Sequence, residues 1–306
     1  VDKTPIMIEN DSEQHRATHV FERGNWLVQG EAVEPGVPKY LNPFPKDQPN
    51  NRLGFANWLL SEDNPLTART IVNRFWEQIF GYGLVETLED FGTQGAEPTH
   101  QELLDWLALR LMKEHQWSMK KLVKDIVLSA TYRQDSRITE EHQEKDPSNR
   151  FLARGPRVRL SAEQVRDQAL AVSGLLSEKM FGKSVMPYQP EGIWSSVWNG
   201  ATWKESEGED RFRRSVYTYI KRTSPYPSMI MFDGSSREVC VSRRIRTNTP
   251  LQALVTLNDS SFIVASRSFA EKMLKEGQTS TDQIEAGNKM MLVRDIPEDM
   301  LEILNE

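Results

Sequence analysis

The stretch NRLGFANWLLSEDNPLTARTIVNRFWEQIFGYGLVETLEDFG, residues 51–92, decides the fold. Leu53, Ala56 and Leu60 recur at helical spacing, which predicts a first helix. Asn64-Pro65 then offers a capping side chain followed by proline at a first helical position, where the missing N–H has no partner to lose. The spacing predicts a helix over 65–80 with Ala68, Val72, Phe75, Trp76 and Ile79 on one apolar stripe and Arg69, Asn73, Arg74 and Glu77 on a polar face. Gly81-Tyr82-Gly83 ends it, because glycine enters the left-handed conformation that closes a helix without steric cost.

The same grammar extends outward. Thr99 with Glu102 reads as a capping box ahead of Leu103, Leu104, Leu107, Ala108 and Leu111, and Ser118 as the cap for Met119, Leu122, Val123, Ile126, Val127 and Ala130. Residues 135–147 are polar and read as a surface loop or a ragged helix. Ser161 with Gln164 opens another helix, with Val165, Ala169, Val172 and Leu176 inward and a stop near Gly182. A strand is predicted at 215–220, a short helix from Thr249-Pro250 through Val255, and a further helix from Ser260 to Gly277. On the N-terminal side, 18–38 carries strand and turn signals, with strands at 19–21 and 26–28 around Arg23-Gly24-Asn25. Five prolines in 35–50 make an extended connector. The fold class is therefore mainly α. The expected arrangement is one compact body with a small N-terminal β element and connector (1–50), a helical domain (51–281) and an acidic, truncated helical segment (282–306).

Composition sets the outer limits. With 306 residues, 38% hydrophobic and 27% charged, and a mean hydropathy of −0.58, the chain can bury a core and is not a disordered segment. No apolar run approaches the about 20 residues of a membrane helix. A single cysteine, Cys240, excludes an internal disulfide, a CxxC redox pair, a four-cysteine zinc site and a CxxCH haem attachment; it reads as a small buried hydrophobe. A net charge of −6 argues against a general nucleic-acid partner. GxSxG, Walker A and dinucleotide-binding patterns are absent, and no cofactor is expected in this chain. The sequence begins at Val1 with no basic or apolar leader ahead of the folded-looking part.

Seven strings taken together carry a resemblance: THVFERGNW (18–26), residues 51–92 above, PTHQELLDWLA (98–108), SATYRQ (129–134), RDQALAVSGLL (166–176), SREVC (236–240) and RTNTPLQALVTLND (246–259). They resemble the PSD domain that follows cytochrome-associated PSCyt domains in large planctomycete and Bacteroidetes proteins. The resemblance implies an exported protein, periplasmic or on the outer surface, whose partners are upstream PSCyt-type and cytochrome-like modules. Any haem or electron-transfer role would belong to those modules. It carries no activity with it.

The candidate sites come from the residues. Segment 211–250 holds Arg211, Arg213, Arg214, Lys221, Arg222, Arg237, Arg243, Arg244 and Arg246 against Asp233 and Glu238, a net of +7 within a chain of −6. Such a cluster either binds a carboxylate, sulfate or phosphate through its planar donor forks or pairs with acids elsewhere, for which Glu86, Glu89, Asp90 and Asp105 are available. In Arg246-Thr247-Asn248-Thr249-Pro250 the donors lie beside a helix start, so guanidinium and helix end would act on one anion. Trp194, Trp198 and Trp203, near Tyr188, Tyr217, Tyr219 and Tyr226, are either core or a stacking platform for sugar rings. Asp90 and Asp233 are the candidate catalytic carboxylates, and His100 follows a helix cap. His15 and His19 lie about 13 Å apart along a strand and do not make a metal pair.

The expected function is a non-catalytic, exported scaffold or binding module for an anionic or sugar-like ligand, an anionic glycan included, or for a neighbouring domain. A hydrolase or lyase on acidic polysaccharide is the alternative; it requires Arg237, Arg244, Arg246, Asp233 and Asp90 to converge in one pocket. A docking surface for a cytochrome-like module is the third reading.

Overall fold

Asn51 begins the helical part as the local sequence dictates. In the computed structural model, which describes residues 5–194 and 200–305, its Oδ1 accepts the Leu53 and Gly54 amides at 3.0 and 3.1 Å. That caps α1 (Arg52–Leu59). The chain divides into two compact units, residues 1–158 and 159–306.

In the N-terminal unit, β1 (Thr18–Phe21) and β2 (Gln29–Val33) form an antiparallel hairpin with an irregularity between His19 and Phe21. The second strand lies later than the predicted 26–28 because Arg23 and Gly24 both take positive φ and residues 22–28 are used in the reversal. Asn64 takes the amides of Leu66 and Thr67 in the turn before α2 (Thr67–Phe80), but the helix begins two residues later than predicted, so Leu66 rather than Asn64 is its N-cap and Pro65 lies outside it; Gly81 closes it at φ 86°. α3 (Gln101–Lys113) and α4 (Met119–Leu128) pack on α2. Their core is Val72, Trp76, Phe80, Leu84, Val85, Leu104, Leu107, Leu111, Leu122 and Ile126. Each large side chain buried there contributes roughly 2 kcal/mol. Within the polar loop, Thr139 and His142 box the short α5 (Glu140–Lys145).

Two local expectations fail in this unit for a common reason. Asn73 and Glu77 lie on the face read as polar, opposite the apolar stripe, yet Asn73 is fully buried and Glu77 nearly so. Asn73 spends both ends of its amide on the backbone of Val85. The Thr99–Glu102 capping box does not form, because the Thr99 amide donates to the Leu84 carbonyl at 2.8 Å and its hydroxyl to the same oxygen. Between α3 and α4, Asp125 Oδ2 lies 2.6 Å from both Arg110 Nε and His115 Nε2. Burial pushes the Asp125 carboxyl up, but the bonds from His115 and Arg110 outweigh it and the net shift is down.

The C-terminal unit opens with α6 (Ala162–Ser173), boxed by Ser161 and Gln164 as read, and closed by Gly174 at φ 79° rather than near Gly182. Then come α7 (Pro227–Met231), α8 (Pro250–Asn258), α9 (Ser260–Met273), α10 (Ser280–Leu292) and α11 (Glu298–Asn305). α6 packs on α9, which also touches α8 and α10. Ala162, Tyr226, Met229, Phe232 and Phe262 make the core. The predicted strand at 215–220 is a turn of 3₁₀ helix, Ser215–Tyr217, followed by a single bridge from Thr218 to Val185. Its β-branched and aromatic residues find no adjacent strand to complete a ladder. Among the described residues the architecture is mainly α, with one two-stranded sheet and no helix long and apolar enough to cross a membrane.

Candidate functional site

The stretch between α6 and α7 is held by arginine side chains that replace regular structure. Arg166, buried on α6, donates to the carbonyls of Arg213 and Arg211, both at 2.9 Å, while neighbouring Asp167 accepts the Ser215 amide at 2.7 Å. Burial pushes the Arg166 guanidinium down, against the opposing pull of Tyr226 and Asp167. Arg213, only 2% exposed, donates to the carbonyls of Lys179, Phe181 and Lys183 and lies 3.8 Å over the Tyr217 ring. A planar fork with five donors suits this work, because it satisfies several carbonyls of an irregular loop at once.

The other arginines of 211–250 disperse. Arg211 pairs with Glu205, and Arg244 Nη1 reaches Glu163 Oε2 at 2.7 Å. Burial alone would raise the Glu163 carboxyl, yet the Arg244 bond and backbone donors carry it below its ordinary value. Arg246 Nη1 donates to the Arg159 carbonyl at 3.0 Å. Arg214, Arg222, Arg237 and Arg243 are exposed. The acids named as possible partners are engaged elsewhere or stand in the other unit: Glu86 pairs with Arg150, Asp105 with Arg69, and Asp90 caps its own turn by accepting the Gly92 amide at 2.7 Å. Glu163 and Glu205, the carboxylates used instead, belong to the same unit as the arginines.

At the head of α8 the acceptor is internal. Asp233 sits at φ 59° in the turn after α7, and its Oδ2 takes the Thr247 amide at 2.7 Å, the Thr247 hydroxyl at 2.8 Å and the Gln252 amide nitrogen at 3.3 Å. Gln252 is the buried residue of α8, and its Oε1 accepts from Arg159. Asp233 is thus an anchor for residues 245–249 with its donors already in place. Arg159, Glu163 and Gln252 complete this network, and the sequence analysis missed all three; they lie 19 to 93 residues from their partners, beyond any local spacing signal. Asn248 is exposed beside this anchor. His100 sits at the N-cap of α3 with Nδ1 3.1 Å from the Thr99 hydroxyl and makes no capping bond.

Trp194 and Trp203 pack edge to face at 5.4 Å, and Trp203 stacks on Tyr226 at 5.9 Å and joins the core of its unit. Trp194 is 8% exposed, with Lys221 over its ring; Trp198 lies outside the described residues. Cys240, expected to be buried, is exposed. It lies in the 235–249 loop, whose Val239, Val241 and Ile245 also face solvent, as do Leu251, Leu254 and Leu257 of α8. Among the described residues, no group of three His, Cys, Asp or Glu side chains could hold a metal ion.

No curated protein and no solved structure matches the chain. One family does match, over residues 51–306, and it includes the α1–α2 stretch, the Arg166-Asp167 clamp, the exposed 235–249 loop and α8. The chain belongs to the PSD1 family, proteins of unknown function (DUF1553).

Proposed function

We propose that this chain is a non-catalytic docking module of an exported, multi-module protein, and that it binds a neighbouring PSCyt-type or cytochrome-like module through the 235–249 loop and α8. The observation that carries the reading is the inverted exposure of this surface. Leu251, Leu254 and Leu257 are 56, 56 and 71% exposed on a helix whose buried residue is Gln252. The preceding loop presents Val239, Val241 and Ile245 together with exposed Arg237 and Arg243. Apolar side chains interleaved with arginine are the composition of an interface, and the cations call for an acidic partner surface. The dispersal of Arg211, Arg244, Arg246 and Asp233 into separate intramolecular contacts supports docking over catalysis, since a hydrolytic pocket needs acids and cations converging on one bond.

The test is titration calorimetry between this chain and the separately purified neighbouring module. Binding is expected to weaken about tenfold or more in Leu254→Asp and in Arg243→Glu, and to persist in Arg222→Glu. Absence of binding, or equal binding by all three variants, overturns the proposal.

A further inference from the structure

Wholly within the N-terminal unit lies a pocket of about 190 Å³, lined chiefly by Trp76, Phe80, Tyr82, Glu86, Arg150 and Leu152. One wall is the end of α2, where the Trp76 and Phe80 rings stack at 4.2 Å and 13° between planes. The glycines on either side of Tyr82 turn the chain there, and Tyr82 stands 56% exposed. The other wall is the loop after α5, and its shape is built in. Asp146, itself buried, accepts the amides of Arg150 and Phe151 at 2.7 and 2.9 Å. Buried Arg154 ties back to the carbonyls of Asp146 and Pro147, and Asn149, at φ 54°, donates to the Arg154 carbonyl. At the rim Arg150 Nη1 meets Glu86 Oε2 at 2.8 Å, both about half exposed.

We infer that this pocket binds a single uncharged sugar ring, free or as one residue of a glycan. Sites for drug-sized ligands occupy about 300–1,000 Å³, so this one accommodates one ring. Aromatic side chains suit the C–H face of a pyranose. Glu86 supplies an acceptor and Arg150 a donor side by side, which matches neighbouring hydroxyls, each both donor and acceptor. The pair is neutral as a whole. A uronate or phosphate would be drawn by Arg150 and repelled by Glu86, and an amine the reverse, so charge selects the uncharged ring. The loop is already ordered by Asp146, Asn149 and Arg154, so binding does not have to order it.

Saturation-transfer NMR on the intact chain, with glucose, N-acetylglucosamine and glucuronate as probes, tests this. The neutral sugars should show transfer to ring C–H protons, weakened about tenfold in both Tyr82→Ala and Arg150→Met, with glucuronate the weakest ligand. Both substitutions are at exposed positions, and unchanged circular-dichroism melts would show that each variant is folded. No transfer to either neutral sugar, transfer undiminished in both variants, or glucuronate as the strongest ligand each overturns the inference.

Discussion

Asn73 and Val85 exchange two hydrogen bonds across the turn after α2: the Asn73 amide nitrogen donates to the Val85 carbonyl at 2.8 Å, and the Val85 N–H donates to Asn73 Oδ1 at 2.9 Å. The side chain thereby stands in for a paired strand, and it fixes where the chain goes after the helix. Gly83 is required by the same closeness, since a Cβ there would lie 2.4 Å from the Val85 carbonyl and 2.8 Å from both Asn73 amide atoms. Asn73→Ala leaves a buried donor and a buried acceptor unpaired, for an expected loss of about 3 kcal/mol in denaturant unfolding. Asn73→Asp should fare no better, because it sets an oxygen against the Val85 carbonyl. A change within about 0.5 kcal/mol for Asn73→Ala would show that the exchange is dispensable.

The buried arginines give a second measurement. Arg213 serves three carbonyls and a ring face. Lysine has neither the planar fork nor the reach to several acceptors, so Arg213→Lys should cost about 2 kcal/mol, whereas Arg214→Lys and Arg222→Lys, at exposed positions, should stay within about 0.5 kcal/mol. Equal effects at all three positions would remove the clamp from the account of the fold.

How much of this was legible in sequence depends on range. Gly81 and the Ser161–Gln164 box act within four residues of the ends they define, and spacing alone found them. Asn73 and Glu77 were assigned to the right helix and the wrong environment, because periodicity gives the face of a side chain without the backbone groups it will meet there. Thr99 failed as a capping box because a carbonyl 15 residues earlier took both of its donors. The segment of +7 was visible as charge, but the partners that disperse it, Glu163 at 81 residues from Arg244 and the Arg159 carbonyl at 87 from Arg246, come from tertiary packing. The same holds for Cys240, whose apolar neighbours Val239 and Val241 suggested burial and are themselves exposed.

Stability toward acid follows from two carboxylates. Glu163 and Asp125 are both held below their ordinary values, the first through Arg244 and the second through His115 and Arg110, in each case against the upward push of burial. A carboxyl depressed in the folded state contributes stability that is complete above the unfolded value and is lost as pH falls through the folded one. The protein should therefore lose stability on acidification below the ordinary carboxylate range. Glu163→Gln should flatten part of that loss while lowering stability at neutral pH. An identical pH profile for wild type and Glu163→Gln would show that the ion pair does not contribute to it.

Cys240 turns the docking proposal into an accessibility measurement. As an exposed thiol in the 235–249 loop, it should react with iodoacetamide in the folded protein without denaturant. If the neighbouring module seats on that loop and α8, adding it should slow alkylation in proportion to the fraction bound, and a bulky maleimide placed on Cys240 beforehand should block binding. Arg243→Glu should abolish the protection while leaving the free thiol as reactive as before, because Arg243 is exposed on the same loop and has no part in the core. A thiol that reacts only after unfolding would mean that the loop is already covered by its own chain. Alkylation unaffected by saturating partner would place the contact elsewhere and leave Leu251, Leu254 and Leu257 without the occupant proposed for them.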